Sequence, residues 1–204
     1  MRKAVFYGDS NTWGFDPRDF SGGRFGEEII WTNRLEVLLG NEWEVVNEGM
    51  NGRRIPAGEG GYRHIEDLLE KLSPDDLFAV MLGTNDILMS LRPDASGAVR
   101  RMDALLERIC TRPECPKILL IAPPYIGAAN TADPLMHQFH EESVRMDEGF
   151  ALLAEKYGIL FADSSKWDIG IAYDGVHFSE EGHLRFAERL VSFLRVLRLL
   201  AFES

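Results

Sequence analysis

The chain predicts an α/β fold in three layers, α/β/α, built on a flavodoxin-like parallel sheet of about five strands. Three observations carry this expectation. Short, near-continuously apolar runs rich in Val, Ile, Leu and Phe recur along the chain, as expected for strands covered on both faces. Longer helical patterns alternate with them, which implies crossover connections and helices on both sides of one sheet. No repeat, low-complexity tract or linker interrupts the 204 residues. Residues 1–204 therefore read as a single domain, long enough to bury roughly 70% of its unfolded surface.

Taken in order, Ala4–Tyr7 is the first strand and ends in Gly8-Asp9-Ser10. A helix pattern over Trp31–Leu39 leads to a second strand, Trp43–Asn47, and to the Gly/Asn-rich stretch Asn47-Glu48-Gly49-Met50-Asn51-Gly52. Tyr62–Leu72 is helical and is stopped by Ser73-Pro74-Asp75-Asp76. The third strand, Leu77–Leu82, runs abruptly into the polar Gly83-Thr84-Asn85-Asp86. Asp94–Cys110 reads as a helix, Lys117–Ala122 as a strand and Gln138–Tyr157 as a helix ended by Gly158. After the fifth strand, Ile159–Ala162, a last helix covers Glu180–Leu200, with Ser179 as its N-cap and acidic residues in its first turn.

Composition narrows the class. Hydrophobic residues make up 45% and charged residues 27%, ordinary for a globular protein. A formal charge of −11 argues against nucleic acid or an anionic membrane as partner, since both reward basic patches. The apolar run behind Met1-Arg2-Lys3 extends only from Ala4 to Tyr7, too short for a secretory segment. No stretch approaches the roughly 18 apolar residues of a spanning helix. The expected location is cytoplasmic. Cys110 and Cys115 read as two unpaired thiols, with a local disulfide as the alternative. The His and Cys spacings form no zinc pattern, so no metal is expected.

In open sheets of this type, functional groups collect beyond the carboxyl ends of the strands. Ser10 follows the first strand, and Asp174-Gly175-Val176-His177 follows the fifth. An Asp three residues before a His lets one short loop carry both an imidazole base and the carboxylate that orients it; Ser10 would be the nucleophile. Gly52 offers an unhindered backbone N–H and Asn85 a side-chain amide, either of which could hold a developing oxyanion. Each motif alone also has a plain structural reading: an N-cap for Ser10, an ordinary turn at Gly52, an Asx-turn at Asn85. The α/β-hydrolase elbow Gly-x-Ser-x-Gly is not met, because Thr12 stands at its last position. His64 and His183 fall on helix patterns, and His137 and His140 in or beside a Pro-containing loop; all four read as structural or solvent-facing.

Gly8-Asp9-Ser10, Gly52, Gly83-Thr84-Asn85-Asp86 and Asp174-x-x-His177, in this order and at strand ends, resemble the SGNH (GDSL) hydrolase family. The resemblance spans Val5 to about His183. It is nearest to the bacterial arylesterase/acyltransferase branch, through Gly8-Asp9-Ser10-Asn11-Thr12-Trp13-Gly14, Arg24-Phe25, Trp31-Thr32, Asn47-Glu48-Gly49 and Ile121-Ala122-Pro123-Pro124. It implies a serine esterase acting on short-chain acyl esters of small molecules, in some members with acyl transfer to alcohols. Ser10, Asp174 and His177 would form the catalytic triad; the Ser10 N–H, the Gly52 N–H and the Asn85 amide would form the oxyanion hole. A serine-based acyl transfer of this kind would need no organic cofactor either. It also implies that a homo-oligomer is open to this chain, for which the apolar Leu190 to Leu200 pattern offers surface. Two positions depart from the family: Asn11 replaces an apolar residue, and Asn51 stands where Ser or Ala is common. Asn11 and Trp13 are the expected substrate-binding residues, a buried packing role being the other reading for Trp13. The other activities open to the fold are carbohydrate O-deacetylation and thioester or lysophospholipid hydrolysis. A non-catalytic binding module would be favoured by a missing triad member, and a nucleotide-binding protein by a glycine-rich phosphate loop, which does not follow the first strand.

Overall fold

The computed structural model describes residues 1–128 and 130–197. Its centre is a parallel sheet in the order β2-β1-β3-β4-β5, formed by β1 (Arg2–Gly8), β2 (Trp43–Gly49), β3 (Leu77–Met81), β4 (Lys117–Ala122) and β5 (Leu160–Asp163). The chain leaves β1 for β2 on one side and then crosses to β3 on the other. That reversal makes the carboxyl ends of β1 and β3 the topological switch point.

Alternation along each strand explains the three layers. Val5, Tyr7, Phe78, Val80, Ile118 and Leu120 face one core, which is closed by helices α3 (Glu59–Leu69), α5 (Ala95–Cys110) and α6 (Pro134–Tyr157). Ala4, Phe6, Leu77, Ala79, Leu119 and Ile121 face the opposite core, closed by α2 (Trp31–Leu39) and α7 (Glu180–Val196). Successive strand residues point to opposite faces, so a strand buried on both sides must be apolar at every position. Burying a Leu, Ile or Phe side chain fully stabilises by about 1.5–3 kcal/mol. Phe6, Phe78, Phe150 and Phe186 are all fully buried, which sets these two layers as the main source of stability.

Helix boundaries follow capping chemistry. Asp94 accepts from the Ser96 and Gly97 N–H groups and so precedes α5 rather than opening it. Asp133 accepts from Leu135 and Met136, and Pro134 stands in the first turn, so α6 begins four residues before the expected Gln138. That correction places His137 and His140 on α6 instead of in a loop. α3 likewise spans Glu59–Leu69 rather than Tyr62–Leu72, because the chain turns at Glu70 to Leu72 before Asp76 ties down Ser73. Gly158 ends α6 in the left-handed conformation, and Ser179 caps α7 through the Gly182 N–H. The last residues expected in α7, 198–200, lie outside the described residues. Cys110 and Cys115 are free thiols, both held above the usual thiol range, chiefly by burial.

One buried histidine is part of the core. His183 is fully buried against the rings of Phe25 and Phe178, and burial pushes its imidazole down to about 3. Its Nδ1 accepts from the Trp31 N–H at 3.4 Å.

Two short helices stand at the switch point, α1 (Ser10–Trp13) after β1 and α4 (Thr84–Leu88) after β3. The end of β2 presses against α1 at Gly49. A Cβ there would lie 2.1 Å from the Trp13 nitrogen and 2.6 Å from the Thr12 carbonyl carbon, both backbone atoms that cannot rotate away. Gly49→Ala should therefore separate β2 from the α1 turn and destabilise the fold by about 1–3 kcal/mol. Chemical denaturation checks this; an unchanged midpoint would show that the two backbones part freely.

Candidate active site

The first group is set by the turn that leaves β1. Asp9 caps α1, its side chain accepting from Asn11 N–H at 3.0 Å and its carbonyl from Thr12 and Trp13 N–H at 3.2 and 2.9 Å. Gly14, left-handed, closes the single turn by donating to the Ser10 carbonyl. Ser10 thus opens a helix at the carboxyl end of β1, in the second position of the sheet.

The second group returns from the far edge. β5 lies three strand spacings from β1, about 14 Å at the usual inter-strand distance. The chain beyond it doubles back as a tight loop, bridged at Ile171 and Phe178 and closed by Ala172 N–H to the His177 carbonyl at 2.7 Å. Asp174 organises the tip. One of its oxygens accepts from the Val176 and His177 N–H groups at 2.9 and 3.0 Å; the other accepts from the His177 ring at 2.6 Å. Burial acts to raise the Asp174 carboxyl, but the His177 ring, the two backbone donors and the imidazole charge together hold it below the usual carboxylate range. An ionised carboxylate can only accept, so His177 Nδ1 carries the proton in that contact. The other ring nitrogen, Nε2, lies 3.0 Å from Ser10 Oγ, within hydrogen-bond reach. Phe15 packs against the imidazole face at 4.5 Å between ring centroids.

Gly52 and Asn85 approach from β2 and β3. Met50 N–H donates to the Gly8 carbonyl at 3.2 Å, which ties the post-β2 turn to the strand that delivers Ser10. Gly52 sits in that turn at φ +71°, where a side chain would be strained. The Asn85 amide donates one hydrogen to the Arg53 carbonyl at 3.1 Å, beside Gly52. Asp86, its side chain fully buried, accepts from Ile55 N–H at 2.9 Å and from Arg101 at 2.7 Å. Adjacent residues of α4 thereby fasten the Gly52 loop at two points.

The remaining expected residues fall differently. Asn11 is buried, with both ends of its amide on backbone: it donates to the Val176 carbonyl at 3.1 Å and accepts from Phe178 N–H at 2.9 Å. Its amide is turned to the protein rather than to a substrate pocket, because two peptide groups of the returning loop would otherwise be left unpaired. Trp13 is half-buried, its ring 5.7 Å from the Arg24 guanidinium and its carbonyl accepting from Arg24. Asn51 is exposed. His64 pairs with Glu48, and His140 contacts the Ile126 carbonyl, both outside the Ser10 cluster.

Arg53 is the group that sequence reading passed over. Its guanidinium lies 4.0 Å from the Tyr7 ring centroid and donates to the Gly8 and Glu48 carbonyls, binding the ends of β1 and β2 together. Its position directly after Gly52 was visible, but its burial was not. A groove of about 700 Å³ between α2 and α7 is lined by Glu27, Arg34, Val37, Leu184 and Glu188, away from these residues, and contains no nucleophile–base pair. Among the described residues no cluster of His, Cys, Asp and Glu could hold a metal ion, and no helix is long and apolar enough to cross a membrane.

Comparison with known proteins assigns the class. Residues 6–185 match the model of the GDSL-like Lipase/Acylhydrolase family, so the chain belongs to that family and is a carboxylic ester hydrolase. A proposed arylesterase from Agrobacterium tumefaciens str. C58 is 31% identical with a TM-score of 0.82, over 96% of this chain and 99% of its own. A carbohydrate acetylesterase family member from Sinorhizobium meliloti is 29% identical with a TM-score of 0.81, over 97% and 99% of the two chains. The aryl esterase of M. smegmatis, 24% identical with a TM-score of 0.81 over 97% of this chain and 100% of its own, shares the fold. No curated protein matches the sequence.

A second carboxylate near the imidazole behaves oppositely to Asp174. Burial pushes Asp9 up to about 6 from 3.8, only partly offset by the Asn11 N–H and the charges of His177 and Arg53. The folded state therefore holds this proton more tightly than the unfolded chain. Its contribution to stability is present below about 4 and is lost as pH rises through 6. Asp9→Asn keeps the cap and removes the charge. Its unfolding free energy, read from chemical denaturation across pH, should gain on wild type between pH 4 and pH 6 and level off above, by on the order of 1–3 kcal/mol. A difference that stays flat from pH 4 to pH 8 would show that Asp9 ionises freely.

Proposed function

We propose that this protein is a serine esterase of short-chain acyl esters, with Ser10 as nucleophile, His177 as general base and acid, and Asp174 as its orienting carboxylate. The observation that carries the reading is the continuous chain of contacts from Asp174 Oδ2 to His177 Nδ1 at 2.6 Å and from Nε2 to Ser10 Oγ at 3.0 Å. In the first step Oγ attacks the ester carbonyl carbon as its proton passes to Nε2, and Asp174 steadies the imidazolium. The oxyanion is held by the N–H groups of Ser10 and Gly52 and by the Asn85 amide hydrogen not used on Arg53. The imidazolium then protonates the leaving alcohol as the acyl-enzyme forms. Water, or a second alcohol in acyl transfer, attacks the acyl-enzyme as its proton passes to Nε2; Nε2 then returns that proton to Ser10 Oγ as the acyl–Oγ bond breaks and the carboxylic acid or new ester leaves. This chemistry calls for no metal or organic cofactor.

Acetylated sugars are a second substrate class, favoured by the likeness to the Sinorhizobium meliloti carbohydrate acetylesterase family member. Both classes share an acetyl-sized acyl group and the same acyl-enzyme.

Burst kinetics with p-nitrophenyl acetate, butyrate and octanoate test the reading. Turnover should fall with chain length and vanish in Ser10→Ala; undiminished turnover in that variant would remove Ser10 as nucleophile. Asn85→Ala should lower kcat by roughly 10²–10³ with a much smaller change in KM, because the oxyanion contact forms mainly in the transition state. A kcat equal to wild type would take Asn85 out of the oxyanion hole.

A further inference from the structure

The geometry points to Asn11 as a positioning residue that locks the base loop onto the nucleophile turn. This rests on the reading of Ser10 and His177 as nucleophile and base, and goes beyond it. Asn11 follows the nucleophile directly, and its amide grips the peptide groups on either side of the base: the Val176 carbonyl and the Phe178 N–H, at 3.1 and 2.9 Å. Val176 and His177 N–H go to Asp174, and the His177 carbonyl goes to Ala172 N–H. Backbone polar groups around the base are therefore paired, and the pair held by Asn11 is the one that reaches across to the nucleophile. The other hydrogen bonds between the first loop and this part of the chain are Ser10 Oγ with His177 Nε2 itself, Tyr173 to the Pro17 carbonyl, and Arg18 to Glu180.

The side chain itself is immobilised. Asn11 is only 4% exposed; its N–H is held by Asp9 and its carbonyl by the Trp31 indole N–H at 2.9 Å. The two contacts need a donor and an acceptor from one planar group at the same time, which fixes the amide orientation without ambiguity. Leu offers neither, and Asp offers only the acceptor. The distance between Ser10 Oγ and His177 Nε2 is thus set by a covalent neighbour of one gripping covalent neighbours of the other. Such a device holds a reacting pair at attack geometry, where a displacement of about 1 Å can cost about 10²-fold in rate.

The test compares wild type, Asn11→Leu and the isosteric Asn11→Asp, with Ser10→Ala as control. In folded variants kcat for p-nitrophenyl acetate should drop by about 10- to 100-fold in Asn11→Leu, with KM changed less than about twofold, and by a smaller factor in Asn11→Asp. A second readout needs no turnover: the downfield proton resonance of the His177–Asp174 contact, sharp in wild type and in Ser10→Ala, should broaden in Asn11→Leu. Asn11→Leu with wild-type kcat and an unchanged resonance would overturn the proposal. So would a loss confined to KM, which would return Asn11 to the substrate pocket. Retained activity in Ser10→Ala would instead overturn the assignment of the nucleophile, and the resonance would still decide whether Asn11 holds the His177 loop.

Discussion

The turn from Gly8 to Trp13 is the point on which the other segments of the site are hung. Gly8 offers its carbonyl to Met50 N–H and to Arg53, Asn11 offers its amide to the loop at 176–178, and Thr12 offers its carbonyl to Asn47. The Trp31 indole adds a contact from α2. The bonds from Arg53 to Gly8, from Phe178 N–H to Asn11 and from the Trp31 indole are buried, where a donor left unpaired costs about 1–3 kcal/mol. Because the loss would be felt on both partners, the segments after β1, β2 and β5 cannot drift independently. The close approach of Gly49 to the backbone of Trp13 adds a steric requirement to the same place.

The surroundings of His177 show how placement decides the state of a carboxylate. Asp174 is held low although burial opposes it, because the imidazole and two backbone N–H groups converge on it. Asp9 is fully buried, and there burial prevails over the backbone N–H groups of Asn11 and of Asp9 itself. Desolvation acts on both in the same direction; the deeper burial of Asp9 and the greater number of hydrogen bonds to Asp174 together separate them. Two carboxyls near His177 thus differ: Asp174 is held below the usual carboxylate range, and Asp9 is pushed up to about 6.

Most of the architecture was legible in the sequence. Trp31–Leu39 and Lys117–Ala122 end at the residues expected, since apolar periodicity and the flanking turn residues agree there. α6 begins earlier than expected because Pro134 was read as a loop residue, whereas in the first helical turn its missing N–H costs nothing. α1 and α4 are too short for periodicity to register, so the sequence showed a candidate N-cap at Ser10 and a polar turn after the third strand rather than two helices. The structure likewise brings Ser10, Asp174 and His177 together, residues whose motifs were visible by type and spacing. The duties of Arg53, Asp86 and Asn11 were not visible, because nothing in their local context says which backbone groups they will meet.

What the sequence alone determined is whatever depends on near neighbours along the chain. Strand period, helix caps and the Asp174-x-x-His177 turn are local, and a few residues of side-chain chemistry suffice to specify them. The tertiary structure decided what is joined across the sheet. It carried the loop after β5 back over about 14 Å to β1, turned the Asn11 amide onto that loop instead of into a pocket, and buried Asp9 deeply enough to push its carboxyl up to about 6. Those outcomes hang on backbone partners 165 to 167 residues away for Asn11 and on the exclusion of water for Asp9. Neither has a signature in local sequence, because a hydrogen bond between distant segments is selected by the packing that brings them together.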